Sequence, residues 1–167
     1  MRYLTPVTLL LGALAVITPL QSQSAPDATS WPNIIPPTGQ TTLLNWLNKS
    51  GYKENFLPEP KIHASPVHGT VKTYYNPILA GDLHAKRKVF RKGAAMVKEL
   101  YSGNKVTGYS VMVKVQKHAN TQGPDWLFYE TADKTGQNAL LGRNLSACAG
   151  CHSEGVDYLR STFRPYK

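Results

Sequence analysis

The feature that most constrains this chain is a pair of cysteines three positions apart, Cys148 and Cys151, followed directly by His152. On a short helical turn, two thiols at this spacing can each add to one vinyl group of a haem. The adjacent imidazole can then bind the iron as an axial ligand. The motif therefore predicts one covalently bound haem c, attached through Cys148 and Cys151, with His152 as the metal ligand.

Other uses of these cysteines remain open. A redox dithiol normally opens a helix directly after a strand, whereas this pair follows a stretch of Leu, Ser and Ala near the C-terminus. A structural zinc site would need a fourth ligand from elsewhere, and it would have to coordinate Cys151 and His152 as neighbours in sequence. A plain disulfide is the remaining alternative. The haem is the preferred interpretation.

The N-terminus has the pattern of a secretory signal peptide, which we place at residues 1–24. Arg2 precedes an uncharged run rich in Leu, Ala and Val, and small polar residues follow that run. Pro26 makes a cut after Ala25 less attractive than one after Ser24. The run is shorter than the ~20 apolar residues that a membrane span needs, and prolines interrupt it. We therefore expect export to the periplasm, outside the cytoplasm, where c-type haem is normally attached.

About 140 residues remain after cleavage, which is enough for one hydrophobic core. Residues 25–69 are predicted to form an extended arm with a short helix, and residues 70–167 the haem-binding core, together one domain. Loss of Arg2 lowers the formal net charge from +9 to +8, so the mature chain is basic. The densest positive patch, residues 86–92, suits an acidic electron-transfer partner better than nucleic acid, although such runs are usually solvated faces.

The hydrophobic pattern predicts an α+β fold, with a mainly antiparallel β-sheet and peripheral helices. Strands are expected at residues 70–75, 94–101, 106–117 and 126–131, with the second and third joined as a hairpin. Helices are expected from Thr41 or Thr42 to Gly51, from Asn76-Pro77 onward, and over residues 138–145, where the last would lead into the cysteine motif.

The position of the motif in the chain excludes the arrangements of haem motif and axial ligand that are common in small cytochromes. Only fifteen residues follow His152, so a plan with the motif near the N-terminus and a methionine ligand far downstream does not fit. The methionines of the mature chain, Met96 and Met112, lie upstream in predicted strands. A four-helix cytochrome with a C-terminal motif conflicts with the strand pattern.

Three motifs in this order resemble cytochrome P-460 and its relative cytochrome c′-β. They are Val-Lys-Glu-Leu at residues 97–100, Gly-Pro-Asp-Trp-Leu-Phe-Tyr at residues 123–129, and the terminal motif followed by Asp157. The likeness covers the chain from about residue 70 onward. It implies a mainly antiparallel β fold, a homodimer, and a high-spin haem bound by one axial histidine with an open distal side.

In cytochrome P-460 a strand lysine is joined covalently to the porphyrin edge, and the matching residue here is Lys98. Lys98 shares a strand face with Met96 and Leu100, whose apolar side chains could line a haem pocket. Without the resemblance, Lys98 would be interpreted as a surface lysine whose stem covers apolar surface. The resemblance implies the cross-link.

The distal side departs from the family pattern. Family members that oxidise hydroxylamine place a carboxylate over the iron, where it can accept protons, and the matching catalytic position here is Ser110. A serine hydroxyl can hydrogen-bond a bound ligand but has no useful basicity near neutral pH. Glu99 and Glu130 are the nearest carboxylates in predicted strands, and Glu99 should point away from Lys98.

Two functional classes therefore stay open. One is an oxidoreductase that oxidises hydroxylamine, together with nitric oxide, and passes electrons to a small cytochrome. The other is a non-catalytic haem protein that binds a diatomic ligand, nitric oxide or carbon monoxide. A plain electron carrier is third, with the sixth iron position filled by a methionine or by one of four histidines: His63, His68, His84 or His118.

Overall fold

The computed structural model describes residues 34–116, 125–143 and 145–163. The predicted signal peptide, the beginning of the predicted arm and the loop that contains His118 lie outside these ranges. No helix in the described ranges is long and apolar enough to cross a membrane.

The fold is α+β, built on an antiparallel sheet. Within the described ranges the sheet has seven strands, in the order β1-β3-β4-β5-β6-β7, and β2 also pairs with β3. The strands are β1 (Leu57–Pro58), β2 (His63–Ser65), β3 (Gly69–Tyr75), β4 (Ala95–Ser102), β5 (Lys105–Lys114), β6 (Trp126–Thr131) and β7 (Leu140–Gly142). The helices are α1 (Gln40–Asn48), α2 (Pro77–His84) and α3 (Ser146–His152).

Apolar side chains cover both faces of the sheet, because alternate strand residues enter two separate core clusters. On one face, Leu43 and Leu47 of α1 pack with Val97 and other strand residues. On the other face, Met96 and its cross-strand neighbour Met112 pack with residues of α2 and α3. Most residues of the central strands are therefore buried on both faces of the sheet, including polar residues such as Ser110 and Lys114.

Local hydrogen bonds determine where helices α1 and α2 begin. Asn76 caps α2 as the sequence predicts, since its Oδ1 accepts a hydrogen bond of 2.9 Å from the Leu79 amide and Pro77 opens the helix. The first helix begins slightly earlier than predicted, with Gly39 at the cap position. The Thr42 hydroxyl donates to the Gly39 carbonyl at 2.9 Å.

One prediction of local structure is wrong, and one segment contains strands that were not predicted. The helix predicted over residues 138–145 is absent: β7 pairs with β6 there, and Asn138 has a positive φ of 63°. Helix α3 begins only at Ser146 and itself contains the cysteine motif. Within residues 25–69, predicted as an extended arm with a short helix, the structure also contains β1 and β2, short edge strands whose pairing with β3 is not visible in local sequence.

Candidate functional site

A cavity of about 470 Å³ lies on the sheet face that carries Met96. All five candidate site residues predicted from the sequence line it: Lys98, Ser110, Cys148, Cys151 and His152. Its walls are the middle strands of the sheet, the β2–β3 turn, helix α3 and residues 160–162. A cavity of this size falls within the usual range for a bound small molecule or cofactor.

Helix α3 brings both thiols and the imidazole to the cavity on less than two turns of chain. His152 is buried, and its Nδ1 lies 2.9 Å from the Tyr158 carbonyl oxygen, so Nδ1 carries the proton and Nε2 is left for a metal. Burial lowers the pKa of His152, and this effect outweighs the hydrogen bond to Tyr158, which raises it. The ring is therefore held as a neutral imidazole in the form that binds metals.

The loop after α3 positions the Tyr158 carbonyl. Asp157 and Tyr158 both adopt left-handed backbone angles, with φ of 47° and 64°. Both Asp157 carboxylate oxygens accept hydrogen bonds from the Lys114 ammonium, at 2.7 and 2.8 Å, and one also accepts from the Phe90 amide. The Trp126 indole donates to the Asp157 carbonyl at 2.7 Å. The orientation of His152 is thus anchored to the sheet through Asp157.

The two cysteines are free thiols and half-buried. Burial raises the pKa of the Cys148 thiol, and the charge of Glu130 raises it further. A redox dithiol depends on a lowered thiol pKa, so this environment does not favour that alternative. The Arg160 guanidinium lies 2.7 Å from the Cys151 sulfur at the edge of the same cavity.

One cross-strand row of polar residues crosses the cavity wall. Its members lie opposite one another on four adjacent strands, β3 to β6, and all of them line the cavity: Thr73, Lys98, Ser110 and Glu130. Burial lowers the pKa of Lys98, while the carboxylates of Glu59 and Glu130 oppose that effect. Lys98 is therefore part of the cavity wall and not a solvated surface lysine.

Glu130 and His68, which the sequence analysis left among several alternatives, also line the cavity and add hydrogen-bonding groups to it. His68 Nδ1 lies 3.3 Å from Glu130 Oε2, and its side chain is 13% exposed. The contact with His68, together with the Ser110 hydroxyl and the Lys98 charge, holds the pKa of Glu130 below its usual range despite burial. The ring centres of His68 and His152 are 6.4 Å apart.

The other carboxylate that the sequence suggested, Glu99, lies on the opposite face of the sheet. It is buried and accepts hydrogen bonds from Tyr52, Tyr74 and Tyr101, and its Oε1 is 2.7 Å from the Lys53 ammonium. Burial raises the pKa of Glu99, but these hydrogen bonds and the lysine charge outweigh burial, and the net shift is downward. Glu99 has no access to the cavity.

The remaining candidate histidines differ in position. His63 lines the cavity but is 42% exposed and pairs with Glu59 at 2.9 Å. His84 lies in the last turn of α2, which does not contribute to the cavity lining. Of the candidate histidines within the described ranges, His68 thus lies deepest beside His152.

The donor set of the cavity fits a c-type haem. Two thiols three positions apart and an imidazole with a free Nε2 stand on one helix at the cavity wall, as the attachment chemistry requires. Apolar side chains, including Met96 and Phe128, form part of the same lining. The chain matches no known family model, and no curated protein matches it.

Proposed function

We propose that this chain is a periplasmic mono-haem c-type cytochrome similar to cytochrome P-460, which oxidises hydroxylamine and passes the electrons to a small cytochrome. Nitric oxide is the proposed further substrate. The observation that carries the proposal is the convergence of Cys148, Cys151, His152, Lys98 and Ser110 on one cavity, although they come from three separate elements.

The haem, when bound, would supply the redox-active iron that binds the small nitrogenous ligand and accepts its electrons. Cys148 and Cys151 would hold the group covalently, and His152 would bind the iron through Nε2, the nitrogen that its contact with Tyr158 leaves free. Lys98 reaches the same cavity from β4 and would add the cross-link at the porphyrin edge.

The protons released by hydroxylamine oxidation need an acceptor, and Ser110 is a poor one. Glu130 is a carboxylate on the same sheet face, directly opposite Ser110 in the β5–β6 register, and the Ser110 hydroxyl helps to lower its pKa. Ser110 can therefore hold a bound ligand by its hydroxyl while Glu130 accepts the proton. General-base assistance of this kind is typically worth ~10² to 10⁴ in rate.

Covalent attachment is tested by intact-mass analysis under denaturing conditions, after expression with export and haem-attachment machinery. The mature chain should carry the mass of one haem, and the double variant Cys148→Ala, Cys151→Ala should carry none. The variant Ser110→Ala is the matched control, since it alters the cavity without touching the attachment. A wild-type chain without haem would refute the proposal.

Catalysis is tested with hydroxylamine and an artificial electron acceptor. Glu130→Gln should lower turnover by about 10², Ser110→Ala should change it little, and Ser110→Glu should raise it. Fast turnover that survives Glu130→Gln would show that another group takes the proton.

The second candidate function is non-catalytic binding of nitric oxide or carbon monoxide. Ser110 favours it, because a hydroxyl beside the iron can stabilise a bound diatomic ligand but cannot drive proton removal. Tight gas binding, with no hydroxylamine turnover in either the wild type or Ser110→Glu, would establish this role instead.

A further inference from the structure

We propose that His68 is a second, displaceable axial ligand of the haem iron, so that an incoming small molecule must replace it. This inference rests on the proposed function, since it requires a haem that is held by His152. It differs from what the resemblance to cytochrome P-460 implies, which is an open distal side.

The separation of the two imidazole rings carries the argument. A metal–nitrogen bond of about 2 Å, with the ring centre about 1 Å behind that nitrogen, places two imidazoles on opposite sides of one metal with centres about 6 Å apart. The ring centres of His68 and His152 are 6.4 Å apart. This spacing accommodates one iron, but it leaves no room for a further ligand between the iron and His68.

His68 has a carboxylate near its second ring nitrogen, as many metal-binding histidines do. Such residues usually direct the second ring nitrogen towards a carboxylate or a backbone carbonyl, which orients the ring and raises its basicity. His152 directs Nδ1 to the Tyr158 carbonyl, and the Nδ1 of His68 lies 3.3 Å from the Glu130 carboxylate. In each ring Nε2 is then the nitrogen left to coordinate iron.

The two histidines are not held equally firmly. His152 belongs to a helix and to the loop that Asp157 anchors on the sheet. His68 lies in the short turn between β2 and β3, beside the 71% exposed Val67, and its buried Nδ1 makes no well-aligned hydrogen bond. Turns move more readily than strands and helices, so His68 is the ligand that can leave.

The test is the spin state of the purified ferric holoprotein, measured by optical absorption and electron paramagnetic resonance. The wild type should be low-spin, and His68→Ala should be high-spin with its haem still covalently attached. Added imidazole should restore the low-spin spectrum of His68→Ala. The matched control is His63→Ala, which changes another cavity histidine and should stay low-spin.

Carbon monoxide binding to the reduced protein gives a second measurement. Because the wild type is competent to bind only while His68 is displaced, His68→Ala should bind carbon monoxide about tenfold faster or more. A wild type that is high-spin, or a low-spin spectrum that survives His68→Ala, would overturn the inference while leaving the haem assignment intact. Absence of haem from the wild type would overturn both.

Discussion

Removal of the Asp157 carboxylate should destabilise the protein strongly, because it leaves the Lys114 charge buried. The Lys114 side chain is 0% exposed, and the Asp157 side chain is 5% exposed. Loss of one partner from a buried ion pair typically costs about 3–5 kcal/mol. The Asp125 carboxylate, 3.5 Å from the same ammonium, remains in the variant, so we expect the lower end, about 3 kcal/mol.

The variant Asp157→Ala is measured by thermal and urea unfolding of the holoprotein, followed by far-UV circular dichroism. For a chain of this length, about 3 kcal/mol corresponds to a fall in Tm of about 10 °C. The matched control is Glu154→Ala in the same loop. Glu154 is 70% exposed and pairs with Arg160 at 3.3 Å, so its loss should cost less than about 1 kcal/mol.

The variant Asp157→Asn separates charge from hydrogen bonding, because its amide oxygen can still accept from the Phe90 amide. Its free energy of unfolding should lie between that of the wild type and that of Asp157→Ala. If Asp157→Ala unfolds within about 1 kcal/mol of the wild type, or if Glu154→Ala is equally costly, the buried ion pair does not anchor this loop.

Three further predictions concern other parts of the chain. Gly108→Ala should lower the free energy of unfolding in urea by about 1–3 kcal/mol, because a Cβ there would lie 2.2 Å from the Thr131 carbonyl oxygen. The control is Gly150→Ala, which should not destabilise the protein because a Cβ at Gly150 has nothing within 4 Å. Tryptic digestion of the holoprotein should give a haem peptide that joins the Lys98 segment to the cysteine segment, and Lys98→Arg should release it; a free Lys98 peptide from the wild type would exclude the cross-link. The pKa of Glu99 is lower in the folded protein than in the unfolded chain. The ionised Glu99 therefore contributes its full share to the free energy of unfolding above the unfolded pKa of about 4.3, and this share is lost as the pH falls through the folded value. Glu99→Gln should make the free energy of unfolding fall less steeply at acid pH, and an unchanged fall would contradict this.

Local signals in the sequence were sufficient for the central hairpin and for the start of α2. Residues 102–104 mark the turn between β4 and β5, and the predicted strands on either side match the structure within a few residues. The Asn76 cap depends on contacts within the next three residues. The helix predicted over residues 138–145 was wrong because β7 depends on pairing with β6, and a short apolar run does not reveal such pairing.

The candidate site was predictable only where one segment carries it. The spacing within the cysteine motif was enough to predict its proposed chemistry, and Lys98 was predicted from the resemblance. Glu130 lies opposite Ser110 only because of the β5–β6 register, which the intervening polar loop leaves undetermined in the sequence. His68 belongs to a turn without periodicity, so nothing in the sequence separates it from the other histidines.

Strand β5 links the two sides of the proposed haem site. Ser110 and Lys114 lie four residues apart on one face of it, so one strand carries both the Ser110 hydroxyl of the cavity wall and the ammonium that anchors the loop behind His152. A shift of one residue in β5 register would turn both side chains to the opposite face. The sheet therefore fixes the His152 side of the proposed site and the polar row of the cavity wall, whereas His68, the proposed exchangeable ligand, lies in the turn between β2 and β3.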